Sequence, residues 1–371
     1  MRIVHVFNMA NAAYNIAKFQ RRIGMDVDLI IRKNDFGMAL PQWEEGYFTN
    51  IDPYHVDWSK INNLPLPDWI KVWNPGPIVF DPKSIFKLII MVKEYDLMQL
   101  YTGAVIYLQF IKIPYIVYEA GWMRRFAIRD KISDKLARRG YKYAKCIIMT
   151  NPDMYRILKK MKKHMPKDYF IPFAIDHEIY RPMNLSRLFD EFTFFHPTRQ
   201  SWEEKGNDKF IKAFAEFTKK YDAKLILVRW GKKEDIKRTE ELIKKLEISN
   251  KVLWIRPVSK KKLVEYYNRV DVVLDQCVLG SYGALCPEAM SCEKPVIIYL
   301  DPFWTKKCYG AFPPVLNACT VEEIYQQMVK CLDDTFRKNI GKKSRKWVIE
   351  KHDGIKIAKM HKFVYESIMH K

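Results

Sequence analysis

Two cations and one carboxylate carry the chemistry that can be read from this chain of 371 residues. Arg199 and Lys205 flank one loop: Phe194-Phe195-His196-Pro197-Thr198-Arg199 ends a strand pattern, and Lys205-Gly206-Asn207-Asp208 opens the helical pattern Lys209 to Lys219. Glu288 starts the helix of a second unit, Asp271 to Tyr299, which reads as strand, glycine-bearing loop, helix and strand. A guanidinium and an ammonium beside one loop suit a phosphate leaving group. Its charge grows as the bond to carbon breaks, so fixed cations stabilise the transition state more than the ground state. Arg grips phosphate oxygens through a planar fork, Lys as a point charge. Gly280 and Gly283 let main-chain amides approach a polar ligand, and the positive end of the following helix, about half a charge, favours an anion. Glu288 beside it can accept hydrogen bonds from hydroxyl groups.

The elements that must position these residues alternate. Strand Lys224 to Val228, the Trp230-Gly231 loop, helix Glu234 to Leu246, strand Val252 to Ile255 and helix Lys260 to Asn268 give a βαβα order with parallel-sheet character. Ligands of open parallel sheets lie beyond the carboxyl ends of the strands, where Arg199, Gly231, Arg256-Pro257-Val258 and the Gly280 loop all fall. A second βαβ unit starts the chain, with strand Ile3 to Phe7, helix Tyr14 to Arg22, Gly24 as its stop and strand Val27 to Ile31. In its first turn Asn8 and Asn11 tolerate a left-handed backbone; ligand contact and local turn capping explain them equally well. From Pro41 to Pro82 prolines punctuate short aromatic runs, which predicts an irregular surface excursion. Strand Tyr115 to Tyr118 runs into Glu119-Ala120-Gly121-Trp122-Met123-Arg124-Arg125, whose charges Glu119, Arg124 and Arg125 are candidate ligand contacts by position or else ordinary surface charges.

The Asp271 to Tyr299 segment resembles the nucleotide-sugar-binding signature of family 4 of retaining glycosyltransferases, the glycosyl transferases group 1. That motif has two glutamates with seven residues between them, then Ala-Met, a small residue and Lys-Pro-Val-Ile; Glu288-Ala289-Met290 and Lys294-Pro295-Val296-Ile297 fit it. The first glutamate falls on Gly280, so its role is missing or moved to Asp275 or Gln276. The resemblance implies an α/β fold of two facing Rossmann-like domains (GT-B) with a cleft between them. It implies an acceptor-side domain over 1–172, linked through Tyr169 to Asp176 to a nucleotide-sugar domain over 190–346, and a terminal helix over 347–371 that packs back on the first. It implies transfer of a sugar from a nucleoside diphosphate sugar with retention, in a hexosyltransferase-type reaction. The main chain near Val258 would meet the nucleobase, Glu288 the ribose, Arg199 and Lys205 the diphosphate, and Gly231 with Tyr282-Gly283-Ala284 would line the donor site. Asn8, Asn11, Glu119 and Arg124 would face the acceptor, with Ala120-Gly121 where the family commonly has His-Gly.

Composition bounds the partners. A length of 371 residues at 48% hydrophobic suits two ordinary domains. Seven cysteines without a C-x-x-C pair predict neither disulfide framework nor zinc site and favour a reducing cytoplasm. No signal peptide is expected, and the most apolar stretch, Ala104 to Tyr118, is too short to span a bilayer. Among Asp-x-Asp triplets that hold a cation in the other major transferase architecture, Asp26-Val27-Asp28 reads as a strand end. No cofactor or metal is therefore called for, since Arg199, Lys205 and the helix terminus supply the positive charge. The net charge of +21 is placed unevenly. Lys131, Lys135, Arg138, Lys142 and Lys145 fall on one helix face, and Lys159, Lys160, Lys162 and Lys163 crowd the helix after an Asn151 cap. At roughly 1 kcal/mol per basic residue, such faces could hold the protein peripherally on the anionic inner face of a membrane, beside a lipid-linked or other glycan acceptor; a solvated lysine-rich surface is the plainer reading. Nucleic-acid binding is the rival class, but scattered aromatics and the lack of RRM, KH or helix-turn-helix patterns argue against it. An epimerase or a nucleotide-sugar-binding protein without transfer is the other alternative.

Overall fold

The computed structural model describes residues 1–33, 35, 37–46, 65–76, 81–126, 131–161 and 165–369. They form two compact units. The first takes the described residues of Met1–Glu44 and Trp58–Ala174 together with those of Asp353–Lys371; the second takes those of Glu45–Asp57 and Ile175–His352. Each is a parallel sheet of βα units, the architecture of a Rossmann-like domain.

In the first unit the strands are β1 (Arg2–Val6), β2 (Asp26–Arg32), β3 (Ile70–Trp73), β4 (Leu97–Tyr101), β5 (Tyr115–Glu119), β6 (Ile147–Met149) and β7 (Asp168–Phe170), ordered β3-β2-β1-β4-β5-β6-β7. All pairs are parallel. Helices cover both faces of such a sheet, so its strands read as runs of apolar residues without alternation; Ile3, Val4, Val6, Ile116 and Val117 are fully buried. Helix Gly354–Met369 belongs here. Gln20 donates to Tyr365 Oη at 2.9 Å, Tyr365 donates to Gln99 Oε1 at 2.6 Å, and Gly354 is pressed against the Phe19 ring.

The second unit carries β8 (Phe192–His196), β9 (Ala223–Val228), β10 (Val252–Ile255), β11 (Val272–Leu274), β12 (Val296–Ile298) and β13 (Leu316–Asn317), ordered β10-β9-β8-β11-β12-β13 and parallel throughout. Strand order reverses between β8 and β11, as between β1 and β4 in the first unit. Crevices at such reversals are where open α/β sheets take their ligands. Phe194, Phe210, Phe214 and Phe217 form the aromatic centre of this unit's core.

Several boundaries differ from the sequence reading. The last helical stretch is two helices, Asp334–Lys351 and Gly354–Met369. Residues 347–352 stay with the second unit because Trp347 lies 5.6 Å from the Tyr309 ring and His352 accepts, through its carbonyl, the Ile175 amide at 2.8 Å. The Pro41 to Pro82 stretch is not wholly irregular: β3 pairs with β2, and the buried Trp73 donates its indole N–H to Ser84 O at 2.7 Å. Four residues between prolines are too short for a periodic signal. Residues 47–64 and 77–80 of that stretch lie outside the described residues, as do Lys162 and Lys163. Lys145 lies beyond the end of its helix, which spans Ile132–Lys142.

Candidate functional site

The crevice end of β8 is built by buried polar groups. His196 is fully buried, and desolvation pushes its pKa down to about 3, so the ring is neutral at ordinary pH. Its Nε2 lies 2.8 Å from Asp275 O, which can only accept, so the proton sits on Nε2 and the bond ties the ends of β8 and β11 together. Asn207 then fastens the Arg199 loop, accepting from Ser201 N at 2.8 Å and donating to Arg199 O at 3.3 Å. Lys205 ends the short helix Trp202–Lys205, and Gly206 follows at φ 67°. A Cβ there would meet Cys277 Sγ at 2.3 Å, so only glycine lets this turn press on the segment after β11.

Around this frame the charges pair. Lys205 Nζ lies 3.7 Å from Asp275 Oδ1. Asp275 is 1% exposed, its Oδ2 has no hydrogen-bond partner, and burial holds its carboxyl above the usual range, aided by the nearby Glu288 and opposed by Lys205. Glu288, 3% exposed on helix Leu285–Ser291, accepts from Lys260 Nζ and, at 3.4 Å, from Tyr267 Oη. Lys205, Asp275, Glu288, Tyr267 and Lys260 are thus one connected cluster. Arg199 stands at its solvent side, 38% exposed and paired with Glu204. An exposed pair is worth roughly 0–1 kcal/mol, so Glu204 can be exchanged for an incoming anion at little cost. The Lys260 to Glu288 pair is largely buried, and a ligand hydroxyl reaching Glu288 must share it.

The remaining donor-side candidates divide. Gly231 is drawn against the chain beside Arg199 by a parallel bridge to Gln200. Val258 is half-buried in the loop between β10 and helix Lys260–Arg269, while Gly283 is exposed with open space around it and Ala284 is half-buried. Tyr282 departs from expectation. Its ring is buried and its hydroxyl lies 2.9 Å from His352 Nε2, so only its main chain can meet a ligand. The structure also gives a reason for the missing glutamate. Gly280 has φ 76°, and a Cβ would stand 3.3 Å from Asp301 Cβ, so a longer side chain there is strained. Gln276 is spent on the loop: it donates to Ser281 O and Tyr299 O at 2.8 Å and accepts from Val278 N and Leu279 N. Of the two substitutes, Asp275 alone keeps an unpartnered oxygen.

In the first unit the candidates are mostly structural. Asn8 donates to Asn11 Oδ1 and Ala39 O at 2.7 Å, and Asn11 donates to Met38 O and Leu40 O at 3.0 Å, so both amides hold the turn. Asn11 has the left-handed φ of 60° that its residue type allows. Glu119 is no surface charge. It is fully buried, accepts from Met123 N and Tyr141 Oη, and is held above its usual pKa by burial. Arg124 pairs with Asp153 at 2.6 Å and is 27% exposed. Lys260 and Tyr267 went unread because Lys260 opens a run of three lysines, and no residue spacing reveals that one of them points at Glu288.

Comparison with known proteins bears on the second unit and on the fold. Residues 190–347 match the profile of the glycosyl transferases group 1. A curated relative, an uncharacterized glycosyltransferase of Methanocaldococcus jannaschii, is 26% identical over 170 residues, 45% of this chain; the chain spans 43% of that relative's length. Sucrose-phosphate synthase of Thermosynechococcus elongatus superposes with a TM-score of 0.74 at 16% identity, over 100% of this chain and 99% of its own. Anabaena HepE, solved with UDP and glucose, gives 0.74 at 15% identity over 99% and 100%. At such identities these structures share the fold, that of GT-B glycosyltransferases with two Rossmann-like domains.

Proposed function

We propose that this protein transfers a sugar from a nucleoside diphosphate sugar to a glycan or lipid-linked acceptor. The observation that carries the reading is the Lys205, Asp275, Glu288 and Lys260 cluster at the reversal of the second sheet, inside the segment that matches the glycosyl transferases group 1. Arg199, released from Glu204, and Lys205 take the diphosphate oxygens, where the charge of the departing group accumulates. Glu288 accepts from the ribose, Val258 presents main chain to the base, and Gly231, Gly283 and Ala284 border the sugar. Asp275 holds Lys205 from beneath. HepE, of the same fold, was solved with UDP-glucose, which supports a uridine diphosphate sugar as the first donor to try. Retention, the hexosyl type and the Asn8, Asn11, Glu119 and Arg124 acceptor side remain part of the proposal by family resemblance; of the last, Arg124 is the side chain with exposure to offer.

The same reading places the protein on an anionic membrane face. In its favour, Lys131, Lys135, Arg139 and Lys142 are exposed on or beside helix Ile132–Lys142 together with Ile132 (77% exposed), and Arg139 lies over the exposed rings of Phe110 and Tyr143. No helix among the described residues is long and apolar enough to cross a membrane. A radiolabelled nucleotide-sugar panel tests the reading: release of sugar from one donor, lost in Arg199→Gln, supports it, and inertness toward every donor that binds makes the protein a binder rather than a transferase.

A further inference from the structure

The carboxyl ends of β1 and β4, where the first unit's strand order reverses, carry left-handed residues other than glycine. Phe7 (φ 71°), Ala10 (φ 47°) and Asn11 (φ 60°) follow β1, and Thr102 (φ 46°) follows β4. The other left-handed non-glycine residues among those described, Glu247 and Glu293, sit just past the helix C-caps Leu246 and Cys292, where that conformation is common. Asn11 tolerates this conformation, but Phe7, Ala10 and Thr102 do so at a cost, and strain of that kind clusters at ligand sites.

A cation with no counter-charge among the described residues stands there. Arg32 ends β2, next to β1, and makes no ion pair among the described residues. Its guanidinium carbon lies 5.6 Å from the centroid of the Phe7 ring, and its Nε is buried without a hydrogen-bond partner. A buried donor left unpaired is unfavourable, and guanidinium N–H groups pair best with the two oxygens of a carboxylate or phosphate. Phe7, Trp73 and the half-buried Tyr107 back it, with Tyr107 6.3 Å from Phe7 and 6.0 Å from Trp73. Gly103, beside Thr102, has open space where a side chain would be.

We propose that this corner of the first unit binds an oxyanion carried on a sugar ring, with Arg32 as its partner, and hence that the acceptor is an acidic or phosphorylated sugar. The word acceptor rests on the transferase reading; the anion site does not. The test uses the full chain saturated with UDP, so that the second unit's cations are occupied, titrated by calorimetry with methyl glucuronide, glucose 1-phosphate and the neutral methyl glucoside. At least one anionic sugar should bind roughly tenfold tighter than the neutral one, about 1.4 kcal/mol, and which one does so separates carboxylate from phosphate. Arg32→Gln should remove the preference with UDP affinity unchanged, and Arg32→Lys, which keeps charge but loses the fork, should weaken it. A wild type that treats charged and neutral sugars alike overturns the proposal, as does a full preference in either variant. Preference without turnover of any donor would leave this site standing and remove the transferase reading, whereas turnover without preference would do the reverse.

Discussion

Glu288 and Lys260 show why a site residue can be hard to test by truncation. Removing one partner of a buried pair strips the other of that counter-charge, at up to about 3–5 kcal/mol. Glu288→Ala should therefore lower the thermal midpoint sharply, and its loss of activity would mix folding with chemistry. Glu288→Gln keeps an acceptor for Lys260 and should be milder, while Lys260→Met combined with Glu288→Gln should regain stability without regaining turnover; differential scanning calorimetry with a donor assay separates the two. Asp275 invites the opposite change. Its folded pKa lies above the usual 3.8, mainly through burial, so its stabilising contribution is complete below that value and is lost as pH rises through the folded pKa. Asp275→Asn should thus raise the thermal midpoint at pH 7, the gain should shrink toward pH 4, and turnover should fall because Lys205 loses its support. No gain at pH 7 would contradict the account of a desolvated carboxylate that Lys205 compensates only in part.

At the scale of elements, glycines fix the site. Gly206→Ala puts a methyl group against Cys277 Sγ at a positive φ and should destabilise by roughly 1–3 kcal/mol while weakening donor binding, measured by denaturant unfolding and nucleotide titration. Much of the second unit was legible in the sequence. Runs such as Val272-Val273-Leu274 and Val296-Ile297-Ile298 are short, apolar and bounded by turn residues, and they are β11 and β12 as expected. Arg199, Lys205 and Glu288 could be singled out as candidates because they lie in the loop after β8, at the end of a short helix and in the first turn of a helix. The rest depends on tertiary partners. Burial of Glu119, the spending of Asn8 and Asn11 on main-chain carbonyls, the turn of the Tyr282 ring toward His352 and the approach of Lys260 to Glu288 join residues from about 20 to 70 positions apart in most cases, beyond any local pattern. β3 was lost for a different reason: four residues between prolines carry too little periodicity.

For the whole molecule, three of the four buried histidines among the described residues set the acid limit. His5 and His196 are pushed from 6.5 to about 3, and His361 well below its usual value, chiefly by desolvation. A depressed folded pKa contributes stability that is present above pH 6.5 and lost as pH falls toward the folded value. The thermal midpoint should accordingly drop between pH 6.5 and pH 4, against the opposing gain from Asp275 and Glu119; a flat profile would mean the rings are not sealed from water. The excess of positive charge acts at longer range. Binding to vesicles with anionic lipid should weaken steeply with salt and be absent on neutral vesicles, as sedimentation would register. The central claim is that the second unit holds a nucleoside diphosphate sugar through Arg199, Lys205 and Glu288. Its most direct test is calorimetric titration of the wild type, Arg199→Gln and Glu288→Gln with UDP and a panel of nucleotide sugars. The account predicts saturable binding of at least one, weakened tenfold or more by each substitution at unchanged thermal stability of Arg199→Gln. Equal affinity in all three proteins, or no binding of any nucleotide, would contradict it.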